Sequence, residues 1–410
     1  MNTIRGALAL TVSLAAFPAA AADLEVTHWW TSGGEAAAVA EFARLFEERT
    51  EHEWVDGAIA GSGNTARPIM ISRITGGDPM GATQFNHGRQ AEELVEAGLM
   101  RDLTDLAEAG KWREVVNPPS LLDSCTLDGH VYCVPVNIHS WQWLWLSDKA
   151  FAEAGIPVPT NWEEFVAAAP ALEAAGKVPL ALGQQAWQQA GLFATLVISL
   201  LPDDIYLSVY RDKDAEIAAG ADMAQIFAAL DTARGLAAKS TVQEWNQATN
   251  MLITGAAGGQ VMGDWAQGEF AMAGQVAGQD YHCLPGLGDK PVLTTGGDAF
   301  YFPLVRDDDV ADAQADLAEV ILSPEAQVAF NLKKGSLPVR GDVDLDAAND
   351  CMRKGLEILA AGTAMPDINQ LIDSDTRTRI EDLLVEFFAD PSYAPEEAQE
   401  RFAGIIGDAR

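Results

Sequence analysis

The chain has 410 residues, enough for two or three ordinary domains with real apolar cores. Lys and Arg number 26 against 60 Asp and Glu, a formal charge of −34, and a surface that acidic repels phosphate backbones and anionic headgroups, so nucleic acid is excluded as a partner. Hydrophobic residues make up 48% of the chain, with eleven Trp and no long Ser, Gln or Pro tract, so the acidity belongs to a folded surface and not to a disordered tail.

Residues 1–22 carry the three parts of a secretory signal: Arg5 near the start, an apolar run over 7–17, then Pro18 and four alanines. Cleavage is expected after Ala22, giving an exported chain. The run is too short for a membrane anchor, which takes about 20 residues.

A strand is expected over 24–30, stopped by Thr31-Ser32-Gly33-Gly34, then a helix over 35–49 with apolar Ala38, Val39, Phe42, Leu45 and Phe46 at helical spacing. Strand and helix alternate again over 54–60 and 68–75, and over 83–85 and 91–97. This order predicts an α/β fold with a largely parallel sheet. The run over 131–146 is extended and apolar, places Trp141, Trp143 and Trp145 on one face, and is long enough for two successive strands crossing between lobes. Asn161 and Glu164 have capping-box spacing, helices are expected to dominate up to about residue 273, and strands return over 281–287 and 298–305. Ser323-Pro324 opens a further helix that closes at Lys333-Lys334-Gly335.

Four cysteines in an exported chain allow three pairings. Asp128-Gly129 is a strong hairpin turn between Cys125 and Cys133, so these two are paired, which leaves Cys283 with Cys351. Neither Cys-x-x-Cys nor His-Glu-x-x-His occurs, so no metal site and no cofactor is expected. Gly61-Ser62-Gly63-Asn64-Thr65-Ala66 matches the dinucleotide fingerprint formally, with no acid on a following strand to support it.

The chemistry concentrates where strands end. Trp29, Trp30 and Glu35 follow the first strand, and ligands of open α/β sheets sit beyond the carboxyl ends of strands. Sugars suit such a place, because their C–H faces stack on indoles while their hydroxyls need carboxylates, amides and Lys. Asn86 and His87 follow a short strand, Trp187 stands among Gln184, Gln185, Gln188 and Gln189, and Asp264, Trp265 and Asp298 follow glycines. Paired carboxylates need no motif, so a secreted glycosidase-like enzyme using Glu35 with Asp264 or Asp298 is the enzymatic alternative. Charge alone would also suit a carrier of cationic solutes.

Six segments in order carry a resemblance over nearly all of the mature chain: Leu24 to Glu35, Trp54 to Gly63, Tyr132 to His139, Asn161 to Phe165, Met262 to Phe270 and Phe330 to Arg340. The chain resembles the periplasmic sugar-binding proteins of ABC transporters, in the branch containing bacterial glucose/mannose-binding proteins. The resemblance implies a non-enzymatic, two-lobed type II binding fold, each lobe a mixed sheet flanked by helices. Its partners would be a mono- or small oligosaccharide and the inner-membrane permease, and we expect a monomer. The lobes would be 23–133 plus 288–334 and 139–282 plus 340–410, with hinges near 134–138, 283–287 and 335–339. The family's ligand positions fall on Trp29, Trp30, Glu35, Asp298 and Lys334. His87 stands where a Lys is common, and Gln370 or Asn369 stands in Met365-Pro-Asp-Ile-Asn-Gln370 where glucose binders have a His, so the sugar's identity stays open.

Overall fold

The computed structural model describes residues 21–409. Most of the expected signal segment therefore lies outside the described residues. The first strand, Asp23–His28, turns Leu24 and Val26 into the core, as period two requires. It belongs to a five-stranded sheet in the order Glu53–Ala58, Asp23–His28, Ala82–Asn86, Asp298–Tyr301, Cys133–Pro135. The first three strands are parallel, joined through the helices Gly33–Arg49 and Ser62–Gly76. Asp298–Tyr301 enters antiparallel, which puts Asp298 opposite Asn86 at the carboxyl end of the parallel strands.

A second sheet has four strands in the order Tyr281–Pro285, Trp143–Ser147, Ala257–Val261, Val178–Leu180, mixed in direction. The apolar run thus divides: Cys133–Pro135 serves the first sheet and Trp143–Ser147 the second. In the latter strand Trp143 and Trp145 face one core while Leu144 and Leu146 face another, built with the helices Ala186–Leu200, Ser374–Ala389 and Pro395–Gly407. Trp141 lies before the strand, not on its indole face. The chain passes between the sheets over 136–142 and 286–297, and these segments run beside a third at 335–339 through the bridges Ile138 to Leu337 and His139 to Gly296.

Three local expectations are corrected. The helix expected from residue 68 starts at Ser62, with an exposed Pro68 inside it. Two strands, Val178–Leu180 and Ala257–Val261, occupy the stretch read as helical; Ala257-Gly258-Gly259 lacks the β-branched and aromatic residues that announce a strand. Asn161 does accept the Glu164 N–H at 2.9 Å, but the Glu164 carboxylate takes the N–H and hydroxyl of Thr160, both at 2.8 Å, so the box closes one residue early.

Both disulfides are formed, Cys125 to Cys133 and Cys283 to Cys351, with Cα atoms 5.0 and 6.0 Å apart. The first flanks a hairpin whose turn residues Asp128 and Gly129 both have positive φ. Loop-closure entropy gives about 2.5 kcal/mol for the short loop and about 4.4 kcal/mol for the long one. Urea unfolding of the double Ser variants should therefore show the larger loss for Cys283→Ser/Cys351→Ser.

Candidate functional site

Between the sheets lies a cavity of about 340 Å³. Its polar floor is built where the ends of two helices meet. Glu35 sits in the first turn of the Gly33–Arg49 helix, where Ser32 is the N-cap, and Lys334 closes the helix Pro324–Lys334. Lys334 Nζ donates to Glu35 Oε1 at 2.7 Å, with both residues buried. The acid at a helix N-terminus and the cation at a helix C-terminus each complement the local dipole. Burial raises the Glu35 carboxyl, against the opposing pull of Lys334 and Ser32.

Asp298 accepts from Gln84 Nε2 at 2.7 Å and from Asn137 Nδ2 at 3.1 Å, and pairs with His139 Nδ1 at 3.2 Å. Burial works against its charge, yet His139, Lys334 and Gln84 together hold the carboxyl well below the usual range. Burial likewise opposes the His139 charge, and Asp298 outweighs it, so His139 is raised. The result is a floor in which Glu35 faces the Lys334 ammonium and Asp298 faces the His139 imidazole, with the amides of Gln84 and Asn137 fixing Asp298.

The walls are aromatic. Trp29, Trp141, Trp187, Trp245 and Trp265 line the cavity. Trp141 stands edge-on to Trp265 and Trp187, at 4.9 and 5.3 Å between centroids, and Trp265 is edge-on to His139. A Cβ on Gly191 would come within 2.2 Å of the Trp141 ring, so a glycine in the Ala186–Leu200 helix makes room for that indole. Trp187 Nε1 donates to Gln185 Oε1 at 2.8 Å.

Of the residues expected at the site, Trp29, Glu35, Asn86, Trp187, Trp265, Asp298 and Lys334 line this cavity. Trp30 does not: its ring packs on Phe300 and Phe330 in the core, 5.4 Å from the Lys334 ammonium. Asp264 is buried behind the wall, its Oδ2 accepting the Ser140 N–H at 3.0 Å, and burial pushes its carboxyl up to about 7. His87 and Gln370 sit together beyond the lining, 3.3 Å apart; His87 also meets Ser124 Oγ at 2.9 Å, and Gln370 donates to Thr295 O at 2.9 Å. Asn86 is anchored by its amide to Gly297 O and by Gln90.

Sequence reasoning missed His139, Trp141 and Trp245 as lining residues. For His139 the signal was present, since Asn137 and His139 are among the few polar residues of an apolar run. Trp141 was assigned to a strand face, and Trp245 had no neighbour pattern. Arg67, Asn64, Arg377 and Glu381, also lining, come from two helices far apart in sequence. Among the described residues no cluster of His, Cys, Asp and Glu could hold a metal ion.

Residues 30–328 match the model of the bacterial extracellular solute-binding protein family. The chain belongs to that family. It is 37% identical over 336 residues to a probable sugar-binding periplasmic protein of Brucella melitensis, covering 82% of this chain and 79% of the relative. A protein of the same description from Rhizobium meliloti is 37% identical over 343 residues, covering 83% and 82%. Among solved structures, a chitin oligosaccharide binding protein superposes with a TM-score of 0.78 at 18% identity, covering 95% of this chain and 99% of that one. A maltose-bound protein of T. maritima gives 0.75 at 16%, covering 94% and 99%. These likenesses establish the two-lobed type II fold.

Burial, then repulsion from His139, lowers His87 to about 3 from an ordinary value near 6.5. The unfolded chain then takes up this proton first as pH falls, so the stability due to neutral His87 is present above about 6.5 and is lost on acidification toward 3. In urea titrations across that window, His87→Gln should lose stability less steeply than the wild type; equal slopes would mean that His87 is protonated in the fold.

Proposed function

We propose that this protein is the periplasmic binding component of an ABC transporter, capturing a mono- or small oligosaccharide between its lobes and delivering it to the inner-membrane permease. A place in the glucose/mannose-binding branch is part of this reading. The observation that carries it is the pairing of five indoles with a floor of fixed hydrogen-bonding groups. Indoles suit the C–H faces of a sugar ring, and Glu35, Asn86, Asp298 and Lys334 suit its hydroxyls. The relatives' names and the sugar-bound fold neighbours point the same way.

The lining described here has five carboxylates against five amides and five indoles, with Arg67, Lys334 and Arg377 among them, which favours a sugar over a cationic solute. Glu35 is already bonded to Lys334 and Asp298 to Gln84, Asn137 and His139, and Asp264 lies behind the wall, an arrangement suited to holding hydroxyls and not to relaying protons. Closure would work through hinges near 134–138, 283–287 and 335–339, at or next to the segments that pass between the sheets, with lobes divided as the sequence suggests.

A sugar panel followed by Trp fluorescence and calorimetry tests this reading: saturable binding with the sugar recovered unaltered is expected, and silence across neutral and acidic sugars would overturn it. Trp29→Ala should weaken binding by about 1–3 kcal/mol with the fold intact. Trp30→Ala should instead destabilise the protein, by about 3–5 kcal/mol.

The packing of Ala22 at the start of the first strand favours a cut one residue earlier than the sequence suggests. Ala22 is buried, its N–H donating to His52 Nδ1 at 3.1 Å and its carbonyl accepting the Glu53 N–H at 3.0 Å. Cleavage after Ala21, with Ala19 and Ala21 as the small residues of the site, would keep both bonds. Intact mass of the exported protein should then show Ala22 as the first residue, and a start at Asp23 would refute this placement.

A further inference from the structure

Part of the cavity lining is unlike the rest. Arg67 on the Ser62–Gly76 helix and Arg377 on the Ser374–Ala389 helix reach it from elements packed with different sheets, and Asn64 Nδ2 to Glu381 Oε2 at 3.2 Å ties the two helices together. Two guanidiniums meet one carboxylate there. Glu381 Oε1 lies 3.7 Å from Arg377 Nε and Arg377 Nη1 donates to Asn369 Oδ1 at 3.1 Å, whereas the hydrogen bond of Arg67 is to Asn64 Oδ1 at 2.8 Å. The other acids of the lining have their own partners: Asp367 caps a helical turn and accepts from Thr294 and Asn369, and Glu244 caps the Trp245–Thr254 helix and accepts from Gln185.

Donors are also left over. Arg377 Nε is buried without a hydrogen-bond partner, and so is the Tyr210 hydroxyl, whose residue lines the same cavity. Arg67 has room because Gly63 lies beneath it: a Cβ there would come within 2.7 Å of its Nη1. Burial first, and then the like charge of Arg377, pull the Arg67 guanidinium down to about 9. Two facing cations of this kind are stabilised when an oxyanion sits between them, accepting charge-assisted hydrogen bonds from both forks.

We propose that the cavity holds an anion subsite, formed by Arg67 and Arg377 from opposite sides of the cleft, that takes a carboxylate or phosphoryl group carried by the bound saccharide. The inference rests on the sugar-capture reading and narrows it to acidic sugars. Trp29 connects the two regions: it faces the cavity with Arg67 5.8 Å from its ring centroid, so a sugar ring stacked on this indole would hold its acidic substituent within reach of the guanidinium. The net charge of −34 does not forbid such a ligand, because at physiological ionic strength fields fade over about 8 Å and the local guanidiniums dominate.

The test is calorimetry on the mature protein with D-glucose and D-galactose, their 6-uronates, their 6-phosphates, and disaccharides ending in either the neutral or the uronate unit. A uronate or a phosphate should bind roughly tenfold or more tightly than its neutral parent, the usual worth of hydrogen bonds to a charged group. Preference for the uronate assigns the group as a carboxylate, and preference for the phosphate as a phosphoryl. In Arg67→Gln and Arg377→Gln the ratio of anionic to neutral affinity should fall by roughly the same factor, and Arg67→Lys, which keeps the charge and should fold, should retain part of it. Neutral sugars binding as tightly as acidic ones, with no change of ratio in the variants, would overturn the subsite and leave sugar capture standing. Absence of binding by every sugar would instead overturn sugar capture itself.

Discussion

The buried pair between Lys334 and Glu35 organises the site. A charge taken out of water is costly unless paired and hydrogen-bonded, so each of these residues requires the other in place. That requirement fixes the first turn of one helix against the last turn of another, 299 residues apart in sequence. It gives Trp30 a structural task as well: its ring backs the Lys334 ammonium while packing on Phe300 and Phe330. The tandem indoles after the first strand thereby divide the work, Trp29 facing the cavity and Trp30 supporting the ion pair behind it.

The second charged element depends on strand direction. Had Asp298–Tyr301 run parallel to its neighbour, its first residue would lie at the far edge of the sheet. Running antiparallel, it brings Asp298 to the carboxyl ends of Asp23–His28 and Ala82–Asn86, where the Gln84 and Asn137 amides can hold it. His139 then bonds Asp298 and stands edge-on to Trp265, so the polar floor and the aromatic wall are one connected assembly.

What could be read in advance follows from how local the cause is. The turn after Asp23–His28, the Asp128-Gly129 hairpin with its disulfide, and the Ser323-Pro324 helix start depend on neighbouring residues, and each reading agrees with the structure. The second pairing, Cys283 with Cys351, followed only because the first removed two candidates. Ala257–Val261 was hidden by its small residues, because a strand held by neighbours on both sides needs no propensity of its own. Asp264 shows the reverse limit. A carboxylate beside a glycine is the pattern of a ligand contact, yet packing turned it behind the wall to hold Ser140, and nothing within a few residues could announce that.

The distribution of charge carries the same lesson to the scale of the whole chain. An excess of 34 acids describes the average surface and is silent about the cleft, where Arg67, Lys334 and Arg377 gather with His139. Cations are scarce in this sequence, and holding them buried demands compensation that an exposed Lys or Arg would not need. Lys334 is matched by Glu35, and His139 is bonded to Asp298. Glu381 is one carboxylate shared between the two guanidiniums beside it, while the other acids of the lining are held by partners of their own, so an anionic substituent is the chemistry that would complete the balance around Arg67 and Arg377.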